Sequence, residues 1–325
     1  MKKIIIILLW IIPTAVVKGQ TGGNSVFTFL NLPVSSNAAA VGGYDISNCI
    51  SGSNAVFSNP AQLNKDMHKN FSAGYIDYLA DINRGAASYA YAVDSLKTFA
   101  AGIQYLHYGT FDQTGTAGEN TGTFTCADYA LAAGYSQQIF KHWRFGASLK
   151  IIYSELEIYK SWGILADLGV YYKDAESGLS AGAVIRNAGF QIKPYNQTRE
   201  NPPFEISAGV SYLLAHAPIR ASLTAIELQK PETDNNSSIG EDIANHFVVA
   251  LEFFPESAVS LKTGCNIQRR NYLKTMENGM FSGMSIGIDI RLRRFAVEYS
   301  RQCFNAAGST NLFSVELFIN KFGTR

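Results

Sequence analysis

The sequence predicts an all-β protein, a transmembrane antiparallel β-barrel of about fourteen strands with a short hatch-like segment ahead of it. Three observations carry this. An export signal opens the chain with no other long apolar run behind it, period-two alternation runs from Phe71 onward, and the links between alternating segments are short and long in turn.

The first element is the signal. Lys2 and Lys3 precede an unbroken apolar run from Ile4 to Val17, and Val17 and Gly19 supply the −3 and −1 positions of a cleavage site. Residues 1–19 are therefore expected to be a signal peptide and the mature chain to start at Gln20. The run is too short for the roughly twenty residues of a retained span, and no cysteine follows it where a lipid anchor would need one. No other stretch approaches eighteen apolar residues, which excludes an α-helical membrane protein. Aromatic content of 12%, with 17 Tyr and 28 Gly, suits a β-rich exported chain. Loss of Lys2, Lys3 and Lys18 takes the formal charge from +1 to −2, so no nucleic-acid partner is expected.

Residues 20–69 do not alternate and form the expected hatch or plug. Ser35, Ser36 and Asn37 followed by three alanines read as a capped short helix that stops at Gly42 and Gly43. Asn59 and Pro60 then mark a turn before the barrel proper, residues 70–325.

The strands are placed near 71–78, 86–93, 98–106, 124–136, 143–154, 162–172, 179–187, 204–212, 219–227, 246–254, 258–266, 282–290, 295–300 and 311–319. Two of them show the pattern best. Trp143, Phe145, Ala147, Leu149, Ile151 and Tyr153 share one face, as do Trp162, Ile164, Ala166, Leu168, Val170 and Tyr172, each an apolar band with aromatic ends. The opposite face collects Asp128, Arg144, Lys150, Asp167, Arg186, Glu205, Arg220, Glu252, Lys262, Asp289, Glu298 and Glu316. A charge at the lipid midplane costs about 2–4 kcal/mol, which a wet lumen avoids, so this is the inward face. Links after even strands are short, as at 94–97, 173–178 and 255–257; after most odd strands they are long and polar, as at 107–123, 188–203, 228–245 and 267–281. A soluble sandwich also alternates; the link asymmetry and the aromatic-flanked apolar face favour the barrel.

Cys49, Cys126, Cys265 and Cys303 have no metal-site or redox spacing, and their pairing is not readable. No metal and no cofactor are expected. Five scattered histidines and the absence of G-x-S-x-G, H-E-x-x-H or P-loop motifs argue against an enzyme.

The residues 20–69 also hold the most specific local sequence. Phe29 to Val34 read FLNLPV, Ala38 to Gly43 read AAAVGG and Phe57 to Ala61 read FSNPA. This resembles the PorV and PorQ family of the type IX secretion system, whose barrels are similar to the FadL fatty-acid transporters, and GGNSVFTFLNLPVS, Gly22 to Ser35, resembles the PorQ branch in particular. The resemblance implies a non-enzymatic integral barrel of a Gram-negative outer membrane, bathed in outer-membrane lipid. It further implies an anchor or scaffold for a surface protein of the attachment complex, PorZ-like, alongside PorU and PorV-like partners. The other reading is a FadL-like transporter of hydrophobic small molecules. The charged inward set, with Lys150, Asp167, Arg186 and Glu205 as its expected cluster, favours a filled interior and hence the scaffold. A scaffold must present contact area outside the membrane, so the loop aromatics Tyr108, Phe111, Phe190, Tyr195 and Tyr272 are the expected partner-binding residues.

Overall fold

In the computed structural model the residues described are 25–78, 82–116, 118–230, 239–273, 281–305 and 308–322. The expected signal peptide and the expected start at Gln20 lie outside them.

Fourteen antiparallel strands close into one barrel. Four rise and fall first: β1 (Asn70–Asp77), β2 (Asn83–Ala92), β3 (Lys97–Thr114) and β4 (Asn120–Phe140). Three more tall ones follow: β5 (Trp143–Leu156), β6 (Tyr159–Asp174) and β7 (Leu179–Lys193). The wall is then lower through β8 (Glu205–Leu213), β9 (Ile219–Ala225), β10 (Phe247–Phe253), β11 (Val259–Asn266) and β12 (Met284–Arg291). It finishes with β13 (Phe295–Asn305) and β14 (Gly308–Phe318). Each strand pairs with its sequence neighbours and β14 returns to β1, from Asn70 opposite Phe318 to Asp77 opposite Asn311, so the sheet has no edge.

Alternation sorts the two faces as a strand's period of two requires. Phe145, Leu149, Ile151, Leu168 and Phe313 are exposed on the outside, whereas every residue of the expected inward set is buried apart from the half-buried Arg220. Short hairpins join even strands to odd ones on the side where Asn70 and Phe318 lie, here the turn side; the opposite side is the loop side.

Several boundaries differ from the sequence reading. β3 and β4 continue to Thr114 and from Asn120, so the expected loop 107–123 shrinks to a five-residue tip. β7 continues to Lys193, which shortens the expected loop 188–203. Both differences come from irregularities that flip or blur the alternation. The β3–β4 register shifts between His107 and Thr110, where Gly109 takes φ +86°, and the β6–β7 register shifts where Asn187 takes φ +57°. The long loops after β9 and β11 carry the short helices introduced below, not extended chain.

Candidate functional site

The lumen is filled by the protein's own N-terminal segment, residues 25–69. It enters on the loop side, where Ser25 bridges Asn201 and the Val26 amide donates to the Asn201 carbonyl at 2.9 Å, and it leaves on the turn side at Lys69. Within it, helix α1 (Ser36–Ala40) is capped by the Ser35 hydroxyl, which accepts from the Ala38 amide at 3.1 Å. Gly42 and Gly43 end it at φ +90° and +102°. A second turn, α2 (Ala55–Ser58), passes to Asn59, whose side chain caps the 3₁₀ turn Pro60–Gln62.

One side of this plug is polar and meets β11 to β14. The Ser36 amide donates to Ser314 at 2.8 Å, Ser285 donates to the Ala40 carbonyl at 2.8 Å, and Gln302 donates to the Ala39 carbonyl at 3.0 Å. Asn37 is the hub: its amide nitrogen donates to Glu298 at 2.5 Å and its oxygen accepts from Lys262 at 2.5 Å. Lys262 also lies 3.4 Å from Asp289 and 3.7 Å from Glu252, and Glu252 is bonded to Arg220 at 2.7 Å. Buried charges in low dielectric persist only when matched this way.

The other side meets β2 to β6, where beside a few hydrogen bonds such as Arg144 to the Leu63 carbonyl at 2.9 Å it packs apolar side chains in two clusters. Val56, Phe57, Leu63 and Met67 pack on Ala86, Ala90, Ala100 and Ala132 towards the turn side. Val26, Phe27, Phe29 and Leu30 pack on Leu106, Ala130, Ile152 and Leu165 towards the loop side. The wall here is deliberately small: a Cβ at Gly102 would lie 2.6 Å from the Phe57 ring, and one at Gly163 would lie 2.5 Å from the Phe27 ring. The two largest apolar clusters between plug and wall therefore lie on this side.

The expected charge cluster is brought together, with a different pairing. Lys150 and Asp167 are 2.6 Å apart and almost fully buried, on adjacent strands as expected. Arg186 pairs with Glu205 across β7 and β8, not with Asp167. The link between the two pairs is Asn187, whose left-handed bulge turns it inward beside Arg186. Its oxygen accepts from Lys150 at 3.0 Å, its backbone amide donates to Asp167 at 2.8 Å, and its side-chain amide donates to the Pro203 carbonyl at 3.1 Å. Arg186 also lies over the plug's Tyr44 ring at 5.4 Å. Burial, then the Glu205 carboxylate, hold the Tyr44 hydroxyl well above its ordinary range.

The expected loop aromatics do not form one surface. Tyr108, Phe111 and Phe190 are on strands, because β3 and β7 are longer than their alternation showed. Phe111 stacks on Phe124 at 5.4 Å, and Phe190 faces outward opposite Ile164. Tyr108 turns in and donates to Asp128 at 2.6 Å, while Tyr195 bonds Ser154 and packs against the loop-side apolar cluster. Tyr272 is exposed, as Phe111 and Phe190 are, but on helix α4 (Ile267–Leu273), which lies against helix α3 (Ile239–Asn245) through Asn271 and Asn245 at 2.6 Å.

Three interior residues escaped the sequence reading. Asn187 needed the bulge, and Asp45 needed the fold of the plug, where its carboxylate accepts from the amides of Cys49, Ile50 and Ser51 at 2.9–3.0 Å. Arg84 was legible, since it shares parity with Ala86, Ser88 and Ala90, but the sequence reading starts the strand at residue 86, three residues after its first residue Asn83. All four cysteines are free thiols, and Cys49, beside Asp45, has its thiol pushed up to about 12 by burial first and that carboxylate second. Among the described residues no group of His, Cys, Asp and Glu is arranged to hold a metal. On the turn side a cleft of about 420 Å³ opens between the hairpins, lined by Lys65, Lys141, His142, Arg144 and Glu176 among others.

A closed fourteen-stranded sheet, apolar outside and charged inside, defines the class: an integral outer-membrane β-barrel. Solved structures of that class superpose on it. The Pseudomonas putida toluene transporter TodX matches with a TM-score of 0.53 at 12% identity, over 88% of this chain and 96% of that one. The CymD monoaromatic hydrocarbon channel matches at 0.52 and 11%, over 88% and 97%. At these identities the likeness shows the fold. No family model matches the chain, and no curated protein matches it.

Proposed function

We propose that this barrel is a plugged channel through which small hydrophobic compounds cross the outer membrane. The observation that carries the reading is the pair of apolar clusters between the plug and β2 to β6, one around Val26 and Phe27 towards the loop side and one around Leu63 and Met67 towards the turn side. An apolar solute loses little by exchanging those contacts for its own, whereas the polar seam on β11 to β14 holds the plug in place during passage. Of the inward charges, which from sequence argued for a filled scaffold, Lys262, Asp289, Glu298 and Glu316 belong to that polar seam, while Lys150, Asp167, Arg186 and Glu205 pair with one another on β5 to β8. Similarity to a toluene transporter and a monoaromatic hydrocarbon channel supports the same reading. The test is initial uptake of radiolabelled toluene by Gram-negative cells with and without the chain. Faster uptake with the barrel is expected, and equal rates would remove the reading.

A second reading, anchorage of a PorZ-like surface protein in the type IX attachment complex, is supported by the FLNLPV, AAAVGG and FSNPA motifs and by the many hydrogen bonds that tie the plug to the wall. Affinity purification from native membranes separates the two. A retained surface protein together with unchanged toluene uptake would replace the channel by the anchor.

A further inference from the structure

Among the inward-facing cations of the described residues, Lys150, Arg186, Arg220 and Lys262 each have a carboxylate, and Arg144 donates to the carbonyls of Leu63 and Leu96. Arg84 has neither. It stands on β2 next to the loop-side rim and is 1% exposed; one Nη donates to Gln104, while Nε and the other Nη have no hydrogen-bond partner. Its ionisable neighbours are the Tyr78 and Tyr108 hydroxyls, with Tyr78 close enough to interact with the guanidinium and no carboxylate among them.

A second guanidinium lies on the same side of the lumen. Arg269, on α4, sits 4.9 Å from the centre of the Phe304 ring, and Phe304 lies 6.4 Å from the Tyr78 ring. Its Nη2 reaches the plug at Gly43. Its ionisable neighbours are again tyrosines, Tyr44 and Tyr78, with no carboxylate among them. Tyr78 is near enough to both arginines to sense both charges. Around this group stand Ile76, Leu312 and Ala39.

Burying a guanidinium without an anion is among the most costly arrangements a lumen permits, and here two of them lie beside the Tyr78 and Phe304 side chains. We propose that Arg84 and Arg269, with the Tyr78 hydroxyl and the Phe304 ring, form a binding site at the loop-side end of the lumen for an aromatic carboxylate. With Nη2 already on Gln104, the Nε and Nη1 donors of Arg84 remain for the carboxylate on separate edges of the guanidinium, and the Tyr78 and Phe304 rings suit its flat apolar body. The inference rests on the channel reading and names the class of compound it selects: an organic anion, beyond the neutral hydrocarbons of the similar channels.

The experiment is fluorine NMR on the purified full-length barrel, with 4-fluorobenzoate as probe and fluorobenzene as its neutral counterpart. Saturable binding of 4-fluorobenzoate is expected. Arg84→Gln and Arg269→Gln should each weaken it at least tenfold, Arg84→Lys should restore part of it, and fluorobenzene should respond to none of them. Loss of the folded band on an unheated gel identifies a variant that fails to assemble; Arg269→Gln and Arg84→Lys then carry the test. Absent saturation, or equal affinity in wild type and both glutamine variants, overturns the proposal. If toluene uptake persists without 4-fluorobenzoate binding, the site is wrong and the channel stands. Arginine-dependent binding without toluene uptake leaves the site and removes the channel.

Discussion

Lys150 and Asp167 face one another 2.6 Å apart with almost no water in reach, so neither charge has another way to be solvated. Asp167→Ala is expected to lower stability by about 3–5 kcal/mol, because Lys150 remains as an uncompensated buried charge. Replacing both at once, Lys150→Met with Asp167→Leu, should come close to neutral. The urea midpoint in detergent, followed by tryptophan fluorescence, measures both. The direction of these side chains was legible from parity alone; the choice of Glu205 as the Arg186 partner was not, because it depends on how adjacent strands slide past each other. Cys49 gives a second prediction at this scale. With its thiol at about 12 against an ordinary 9.0, it should react with iodoacetamide at pH 8 about a thousandfold more slowly than a free cysteine, read by peptide mass spectrometry. The raised value also means that the folded protein keeps a proton the unfolded chain releases. That contribution to stability is intact below pH 9 and is lost as the pH rises towards 12.

Among the elements, β7 departs furthest from its own alternation, and Asn187 is the reason. Its φ of +57° is a conformation that costs a side-chain-bearing residue about 1–2 kcal/mol, offset here by bonds to Lys150, Asp167 and Pro203. Asn187→Gly should lose the side-chain bonds and keep the backbone, whereas Asn187→Val should lose both and fall lower by about that same 1–2 kcal/mol; thermal loss of the folded gel band ranks them. Bulges are hard to see in a single sequence because one extra residue inverts every later position, so Phe190 and Gln191 exchange the faces that simple parity assigns. By contrast, helix α1 was readable from Ser35, the three alanines and Gly42 because capping is local chemistry. Among the described residues, the backbone bonds at the outer tip of the β3–β4 hairpin run within the hairpin itself, from the Gly115 amide to the Glu119 carbonyl and from the Gly118 amide to the Gly115 carbonyl. Deleting residues 111–123 with a short turn is therefore expected to leave the folded band unchanged.

For the molecule as a whole, the plug is what fills the lumen. Removing residues 25–69 would strip Asn37 from Glu298 and Lys262, expose the inward charges to water and leave a wet lumen; planar-bilayer recordings should then show steady ionic conductance, where the complete chain is expected to show little. Sequence alone determined the class, because a barrel wall is a repeated local rule: alternate residues must suit lipid or lumen, links must be short on one side, and each strand carries that record independently of the others. It also marked residues 20–69 as different, since capping motifs and Asn-Pro turns are local too. Which side of the plug is polar, which wall is smooth, which charges pair and which arginines are left without an anion were decided only in the tertiary structure. Those features join residues as far apart as Asn37 and Glu298, and no local pattern in the chain encodes a contact between surfaces that meet only once the sheet has closed.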